Sequence, residues 1–207
     1  MTTPHDAPGV RSVIGVDAGT ANLRQADHLI HHLMDQLGLP PDTFACTHLI
    51  RTDERRGVAV SLALPDSGTA EALWERLAGL LGPEAGAVLG NREHGPTQAA
   101  RGAALAAEEH AHRRGGRAVV FPSAERLRGS VTVADLLTWS AIDRVTVVGM
   151  PPTGGHGPDP ATPVLTRDHV RPEWRAGHLM LALAPAAGGT LAPFEVPNPT
   201  PCCADHG

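Results

Sequence analysis

The sequence predicts a single α/β domain, in which helices flank a mixed β-sheet, and three observations support this fold class. Strand-like and helix-like segments alternate along most of the chain, as in proteins built from helices packed on a sheet. The chain has 207 residues, of which 42% are hydrophobic and 19% charged, so it can bury a substantial core. Two consecutive strand-like segments joined by a polar loop form a hairpin, which makes the sheet mixed.

We expect the domain to span residues 10–196, after a flexible N-terminus of residues 1–9. Residues 197–207, which read PNPTPCCADHG, are predicted to form an irregular tail because three prolines precede the two cysteines. The loop over residues 151–160 has seven Pro or Gly in ten residues and is predicted to be irregular or a lid.

The first half of the chain follows the order β-α-β-β-α-β, which is the ferredoxin-like order and the alternative to a simple sandwich. In its first helix, Asn22 is the expected N-cap and Gly38 the expected stop. Cys46 lies in an apolar strand and is expected to be a small buried hydrophobic residue. The predicted segments are strand Val10–Val16, helix Asn22–Gly38, strands Phe44–Arg51 and Gly57–Leu64, a helix from Asp66 or Ser67 to about Leu81, and strand Ala85–Gly90.

The second half begins with a long helix whose many alanines allow close packing, so we expect it to lie centrally in the fold. The predicted segments are helix Pro96–Arg114, strand Arg117–Phe121, helix Val133–Ile142, strand Arg144–Met150, and strands within HLMLALAP and TLAPFEVP.

Composition excludes several kinds of chemistry and partner. The chain has no tyrosine, and all 17 basic residues are arginine, which excludes lysine Schiff bases, lysine-bound pyridoxal phosphate and a Walker phosphate loop. The net charge is −5 with no basic stripe, so we expect no nucleic-acid partner. No apolar run is long enough to span a membrane and no secretory signal is visible, so a soluble, cytoplasmic protein without a membrane partner is expected.

The stretch Asn91–Leu105, between a strand and the alanine-rich helix, is the main internal candidate site. Glu93 and His94 are predicted as an acid–base pair, and the helix amides near Thr97 as an anion site. The alternative is that Glu93 caps the helix while His94 is exposed. Asp17, at the end of the first strand, and His156, in the 151–160 loop, are predicted to complete a ligand pocket at the strand ends.

The segments from about residue 10 to 150, with LGLPPDTF and HRRGGRAVVFPSAE among them, follow one another in an order that resembles the N-terminal half of thiolase-like β-ketoacyl synthases. In that family the turn before the long helix carries the nucleophilic cysteine. This chain has no cysteine between Cys46 and Cys202, so the resemblance implies a half that lacks the nucleophile, and no catalytic residue is carried over.

The tail supplies Cys202, Cys203 and His206 as candidate metal ligands, with Asp205 beside them. Adjacent cysteines rarely both reach one zinc ion, whereas Cu(I) favours thiolates and tolerates fewer ligands. A disulfide or a tail of reduced thiols are the alternatives. His28 and His32 have the i, i+4 spacing of a metal-binding pair, but their helix face is predicted to point to solvent.

Three functions stay open at the level of sequence. The first is a protein or enzyme of specialised metabolism that binds a small molecule, an acyl thioester among the candidates, without lysine or tyrosine chemistry. The second is a metal- or thiol-handling protein that uses the C-terminal Cys-Cys-x-x-His. The third is a non-catalytic partner subunit of a thiolase-like synthase. The sequence identifies no cofactor, and it leaves both homo- and hetero-oligomers open.

Overall fold

The computed structural model describes residues 12–52, 55–149 and 157–196. Within these residues, twelve strands form one mixed sheet and four helices flank it, which confirms the α/β fold class. The strands are β1 (Ser12–Thr20), β2 (Phe44–Arg51), β3 (Arg56–Leu64), β4 (Gly86–Leu89), β5 (Arg92–His94), β6 (Arg117–Val120), β7 (Ser130–Thr132), β8 (Arg144–Val147), β9 (Pro163–Leu165), β10 (Glu173–Arg175), β11 (His178–Pro185) and β12 (Leu191–Pro193). The helices are α1 (Leu23–Leu37), α2 (Ser67–Leu80), α3 (Thr97–Ala111) and α4 (Val133–Trp139).

The N-terminal part has the ferredoxin-like strand order. Its strands lie side by side as β4-β1-β3-β2, and every neighbouring pair is antiparallel. The hairpin β2–β3 pairs over eight residues without a shift, from Phe44 opposite Ala63 to Arg51 opposite Arg56. The alternative prediction from the order β-α-β-β-α-β is therefore confirmed for this part of the chain.

The first helix begins and ends where its capping residues predict. The side chain of Asn22 accepts a hydrogen bond from the backbone N–H of Gln25, which satisfies one free donor of the first turn. Gly38 ends the helix in the left-handed conformation with φ 59°, which a residue without Cβ adopts at little cost. In the second helix Asp66 is the cap, through a hydrogen bond from the backbone N–H of Thr69.

Helices cover both faces of this part of the sheet. The buried residues of α1 and α2 pack on the face that carries Val58 and Val60, while α3 packs on the opposite face. A Cβ added at Gly15 would lie 1.9 Å from the carbonyl oxygen of Ala103, so the backbones of β1 and α3 are in close contact. This contact confirms the central position predicted for the alanine-rich helix.

The strands from β6 onward extend the same sheet beyond β2, in the order β6-β10-β11-β12-β9-β7, and β8 pairs in parallel with β11. At the opposite edge, β5 pairs with β4. They enclose a second hydrophobic core around Phe121, Leu136 and Leu181. Helix α4 ends at Trp139, three residues before the predicted end. The hydroxyl of Ser140 donates to the carbonyl of Leu136 and accepts from the N–H of Ile142, which replaces the next helical turn.

Two predicted strands are among the segments that are shorter in the structure than in the prediction. The strand predicted over Arg144–Met150 is β8, which ends at Val147 and is followed by a turn. The strand predicted within TLAPFEVP covers only Leu191–Pro193. No helix in the described ranges is long and apolar enough to cross a membrane.

Candidate ligand-binding site

A pocket of about 1070 Å³ opens at the end of the sheet where the β2–β3 hairpin turns and α1 begins. We call it the arginine pocket because four of its lining residues are arginines. The lining residues come from the start of α1, from both hairpin strands, from β6 and from the end of the described chain: Ala21, Asn22, Leu23, Arg24, Asp27, Leu49, Ile50, Arg51, Arg56, Gly57, Val58, Arg117, His169, Glu195 and Val196.

The floor of the arginine pocket is formed by two cross-strand pairs. Leu49 lies opposite Val58, and two residues further along Arg51 lies opposite Arg56. Val58 belongs to the core beneath α1, and side chains two apart on a strand share a face, so both pairs lie on the α1 side of the sheet. Two like charges directly opposite each other repel and destabilise the sheet unless an anion lies between them.

A third arginine faces the same space from the first turn of α1. Arg24 is exposed, and the first turn of the helix carries no acidic side chain. Among the described residues, the side chains of Arg24, Arg51 and Arg56 have no hydrogen-bond or ion-pair partner. The start of a helix is also electropositive, which adds to the positive potential of the pocket.

The fourth arginine, Arg117, is already neutralised by protein carboxylates. Its side chain is 8% exposed, and it forms paired hydrogen bonds with both Asp27 and Glu195. Burial would lower the pKa of Arg117, but its hydrogen bonds with Glu195 and Asp27 raise that pKa above its ordinary value. Burial likewise opposes the charge of Glu195, yet its hydrogen bond with Arg117 holds the pKa of Glu195 below its usual range.

Two further side chains complete this ionic junction. His169 lies with its Nε2 3.2 Å from Glu195, and Arg171 lies with its Nε 3.7 Å from Asp27. Both acidic residues of the arginine pocket are thus paired with Arg117, and His169 and Arg171 lie beside them. Among the described residues, no carboxylate pairs with the side chains of the other three pocket arginines.

A hydrogen-bonded network of mostly buried polar side chains lies between β2, β3 and α3. Nδ1 of His48 is 2.9 Å from a carboxylate oxygen of Glu109, and Nε2 of His48 is 2.8 Å from the hydroxyl of Ser61. The same hydroxyl is 2.6 Å from Nδ1 of His110. With both rings neutral, His48 donates to Glu109, Ser61 donates to His48, and His110 donates to Ser61.

This network has the order of a serine–histidine–acid triad, but its environment excludes that chemistry. Ser61 is fully buried within the sheet, so its hydroxyl cannot meet a substrate. Glu109 is the one partly exposed member, and the hydrogen bond from His48 lowers its pKa. Cys46, the register partner of Ser61, is also fully buried, and burial raises the pKa of its thiol, as expected for an inert cysteine. We therefore assign this network of polar side chains a structural role.

A smaller cavity of about 300 Å³ lies beside the arginine pocket and shares Leu23, Leu49 and Arg117 with it. Its remaining lining comes from β2, the end of α3, the turn before β6, and β10: Thr47, His48, Glu109, Arg114, Gly115, Gly116, Glu173, Trp174 and Arg175. The exposed side chain of Leu49 stands between the two cavities.

The structure places Glu93 and His94 away from both cavities. The segment predicted as a polar turn contains the short edge strand β5, in which His94 is opposite Ala87 and Glu93 opposite Val88. Ala87 belongs to the core beneath α1 and α2, and Val88 packs with α3, so the two candidate side chains lie on opposite faces of the sheet. This geometry does not bring them together, and their catalytic role stays a prediction.

Asp17 and Thr97 do not meet in one pocket either. Asp17 is fully buried, and its Oδ1 accepts hydrogen bonds from the backbone N–H of Gly19 and from Arg55. A Cβ added at Gly102 would lie 2.0 Å from the other carboxylate oxygen, so α3 covers Asp17. Thr97 is an exposed residue at the start of α3. Their roles in ligand binding stay predictions.

The predicted metal site lies outside the described residues. Cys202, Cys203 and His206 fall beyond residue 196, and His156 falls in the gap after residue 149. The pair His28 and His32 is exposed on α1, as predicted. Within the ranges that are described, no group of three or more His, Cys, Asp or Glu side chains is arranged to hold a metal ion.

The residues that form the arginine pocket show only weak signs of a binding site in the sequence. Arg51 and Arg56 flank the polar loop TDERR, which indicates a hairpin without indicating a site. Arg117 begins an apolar strand, and a charge there suggests a buried partner without naming it. Likewise, His48 and Ser61 are polar residues within apolar strands, which is the signal for a buried hydrogen-bonded pair.

Neither the known protein families, nor the curated proteins, nor the solved structures contain a significant match to this chain.

Proposed function

We propose that this protein binds an anionic small molecule in the arginine pocket. The observation that carries the proposal is the cross-strand pair Arg51 and Arg56, which faces an open pocket with no carboxylate bound to either guanidinium in the described part of the chain. Arginine guanidiniums bind carboxylates and phosphates in a two-pronged geometry. An anion between the pair would replace their mutual repulsion by two favourable contacts.

The charge balance of the pocket supports the same conclusion. Its lining carries four arginines against two carboxylates, an excess of two positive charges, in a protein whose net charge is −5. A local positive region in an acidic protein attracts small anions while the rest of the surface repels polyanions. This balance favours a small ligand over a nucleic acid.

The apolar part of the lining indicates a ligand with more than a charged group. Leu49 and Val58 lie on the same face of the sheet as the arginine pair, and Leu49 is 56% exposed. Pockets of this kind combine apolar contact with a few polar groups that fix orientation. An acyl thioester of a phosphate-bearing carrier has both features, and so does an aliphatic carboxylate.

The other functions predicted from the sequence stay open. Metal or thiol handling depends on Cys202, Cys203 and His206, which lie outside the described residues. A partner-subunit role and the thiolase-like resemblance stay predictions, as does a cytoplasmic location. We assign no catalytic step to the arginine pocket.

The proposal is tested by calorimetric titration of the full chain with citrate, pyrophosphate and inorganic phosphate. We expect at least one of them to bind, and Arg51→Gln and Arg56→Gln each to weaken its binding by about tenfold, the loss of one charge-assisted contact. Arg128→Gln makes the same charge change at an exposed residue outside the pocket lining and is expected to leave binding unchanged. Equal weakening by all three variants, or no binding of any anion, would overturn the proposal.

A further inference from the structure

The outer edge of β2 is only partly covered. On one side β3 pairs with β2 along its whole length. On the other side β6 pairs with β2 from Ala45 to Thr47, because β6 begins at Arg117, opposite Thr47. Within the described residues no strand pairs with the outer edge from His48 to Arg51. We call these four residues the open edge.

The open edge lies between the two cavities described above. His48 and Leu49 line the smaller cavity, while Leu49, Ile50 and Arg51 line the arginine pocket. Exposed edges of sheets carry unpaired N–H and C=O groups that pair readily with another extended chain. The side chains of such an added strand alternate between the two faces of the sheet.

We infer that the arginine pocket, besides small anions, accepts the acidic side chains of an extended peptide segment, which adds to the open edge as a further strand. The inference rests on the proposed function, because the arginine pocket receives the acidic side chains of the segment. Main-chain hydrogen bonds to the open edge supply part of the affinity, and alternate side chains supply the specificity. This mode uses the edge, the exposed Leu49 and the arginine pair together.

The charges on the two sides of the open edge determine which residues the peptide carries at alternate positions. On the α1 side the added strand meets Arg51, Arg56 and Arg24, so every second residue of the peptide is acidic. On the other side it meets the smaller cavity, where Glu109 and Arg114 present both signs of charge. The residues between the acidic ones are therefore small and uncharged.

Two other occupants of the open edge fit the charges less well. A second copy of this chain would bring its own Arg51 and Arg56 to the same edge, and the like charges would repel. The tail of this chain has three prolines in PNPTP, which lack the N–H needed for strand pairing, and Asp205 is its one acidic side chain. An acidic peptide of a partner meets neither obstacle.

The test uses the full chain and the peptide acetyl-Glu-Thr-Glu-Thr-Glu-amide, with citrate as a small anion for comparison. Two N-methylated versions of the peptide have the same charges. One is methylated on the glutamates and the other on the threonines. Since only alternate residues of an added strand donate to the edge, one methylated version loses its main-chain hydrogen bonds and the other keeps them. Binding is measured by calorimetry, and protection of the backbone amides of residues 48–51 by hydrogen exchange.

We expect the peptide to bind about tenfold more tightly than citrate, and one methylated version to lose about tenfold while the other stays within about threefold. Exchange within residues 48–51 is expected to slow when the peptide is added. If both methylated versions bind like the parent while Arg51→Gln weakens peptide and citrate alike, the proposed function stands and this inference is overturned. If neither citrate nor peptide responds to Arg51→Gln, the proposed function fails as well.

Hydrogen exchange also distinguishes the peptide from the two other occupants of the open edge, a second copy and the tail of this chain. Protection of residues 48–51 without peptide that increases with protein concentration would show pairing with a second copy. Concentration-independent protection, without peptide, of those amides in residues 48–51 that do not bond to β3 would show that this chain covers its own edge. Either result would overturn the inference.

Discussion

Replacing Ser61 by alanine tests whether the polar network around His48 and His110 stabilises the contact between the sheet and α3. The hydroxyl of Ser61 lies 2.8 Å from Nε2 of His48 and 2.6 Å from Nδ1 of His110, and all three residues are buried. Alanine removes both hydrogen bonds and leaves a cavity too small to admit a well-bonded water. The packing of the surrounding apolar side chains is otherwise unchanged.

The expected loss in the free energy of unfolding follows from the two lost hydrogen bonds. A buried polar atom that loses its hydrogen-bond partner costs about 1–3 kcal/mol, so two of them cost about 2–6 kcal/mol. With a urea dependence of about 2 kcal/mol per molar, the midpoint of unfolding of Ser61→Ala should fall by about 1–3 M. The unfolding of the full chain in urea is followed by the fluorescence of its three tryptophans.

Thr43→Val is the matched control. The hydroxyl of Thr43 is also fully buried, but it has no hydrogen-bond partner in the described part of the chain. Replacing it by a methyl group of similar shape removes a desolvated polar atom without breaking a bond, so stability should stay equal or rise. A Ser61→Ala midpoint equal to that of the unsubstituted chain would refute the reasoning, as would an equal fall in Thr43→Val.

Three further predictions concern packing, pH and salt. Gly102→Ala should destabilise the fold by about 1–3 kcal/mol or more by overpacking, because the added Cβ would lie 2.0 Å from a carboxylate oxygen of Asp17. Gly79→Ala is the control in α2, because the added Cβ would have nothing within 4 Å, and it should stabilise the fold by about 0.5–1 kcal/mol. Both changes are measured by thermal unfolding. The pKa of Glu109 is lowered in the folded state, so its contribution is fully present above the ordinary glutamate pKa and is lost as pH falls through the folded pKa. Glu109→Gln should therefore flatten the acid side of the stability profile, and an unchanged profile in this variant would contradict this. Anion binding in the arginine pocket should weaken as sodium chloride is raised from 0.05 to about 0.5 M, since salt screens exposed charges, and salt-independent binding would contradict an electrostatic site.

The local features of the fold could be predicted from the sequence because neighbouring residues determine them. Asn22 and Gly38 bound the first helix through their own backbone preferences, and the apolar spacing identifies its buried face. The order β-α-β-β-α-β also leaves few arrangements for the first four strands, because the hairpin and the crossovers constrain one another. Small residues in α3 predicted its close contact with the sheet.

The arginine pocket could not be predicted in the same way because its residues are distant in sequence. Arg117 binds Asp27 and Glu195, which lie 90 and 78 residues away. The pairing of Arg51 with Arg56 is local, yet its importance depends on where α1 begins and on which strand covers the edge of β2. The short strand β5 was missed because three residues carry too little periodicity, and this is why Glu93 and His94 were predicted to lie in a turn.

The most direct measurement of the central claim is the location of a bound anion. Crystals of the full chain soaked in selenate would show the anion by anomalous scattering, since selenium marks its position independently of the surrounding density. We predict a peak between the guanidiniums of Arg51 and Arg56, within hydrogen-bond distance of both, which is absent from crystals of Arg51→Gln. Selenate bound elsewhere on the protein, with the space between these two arginines empty, would contradict the account.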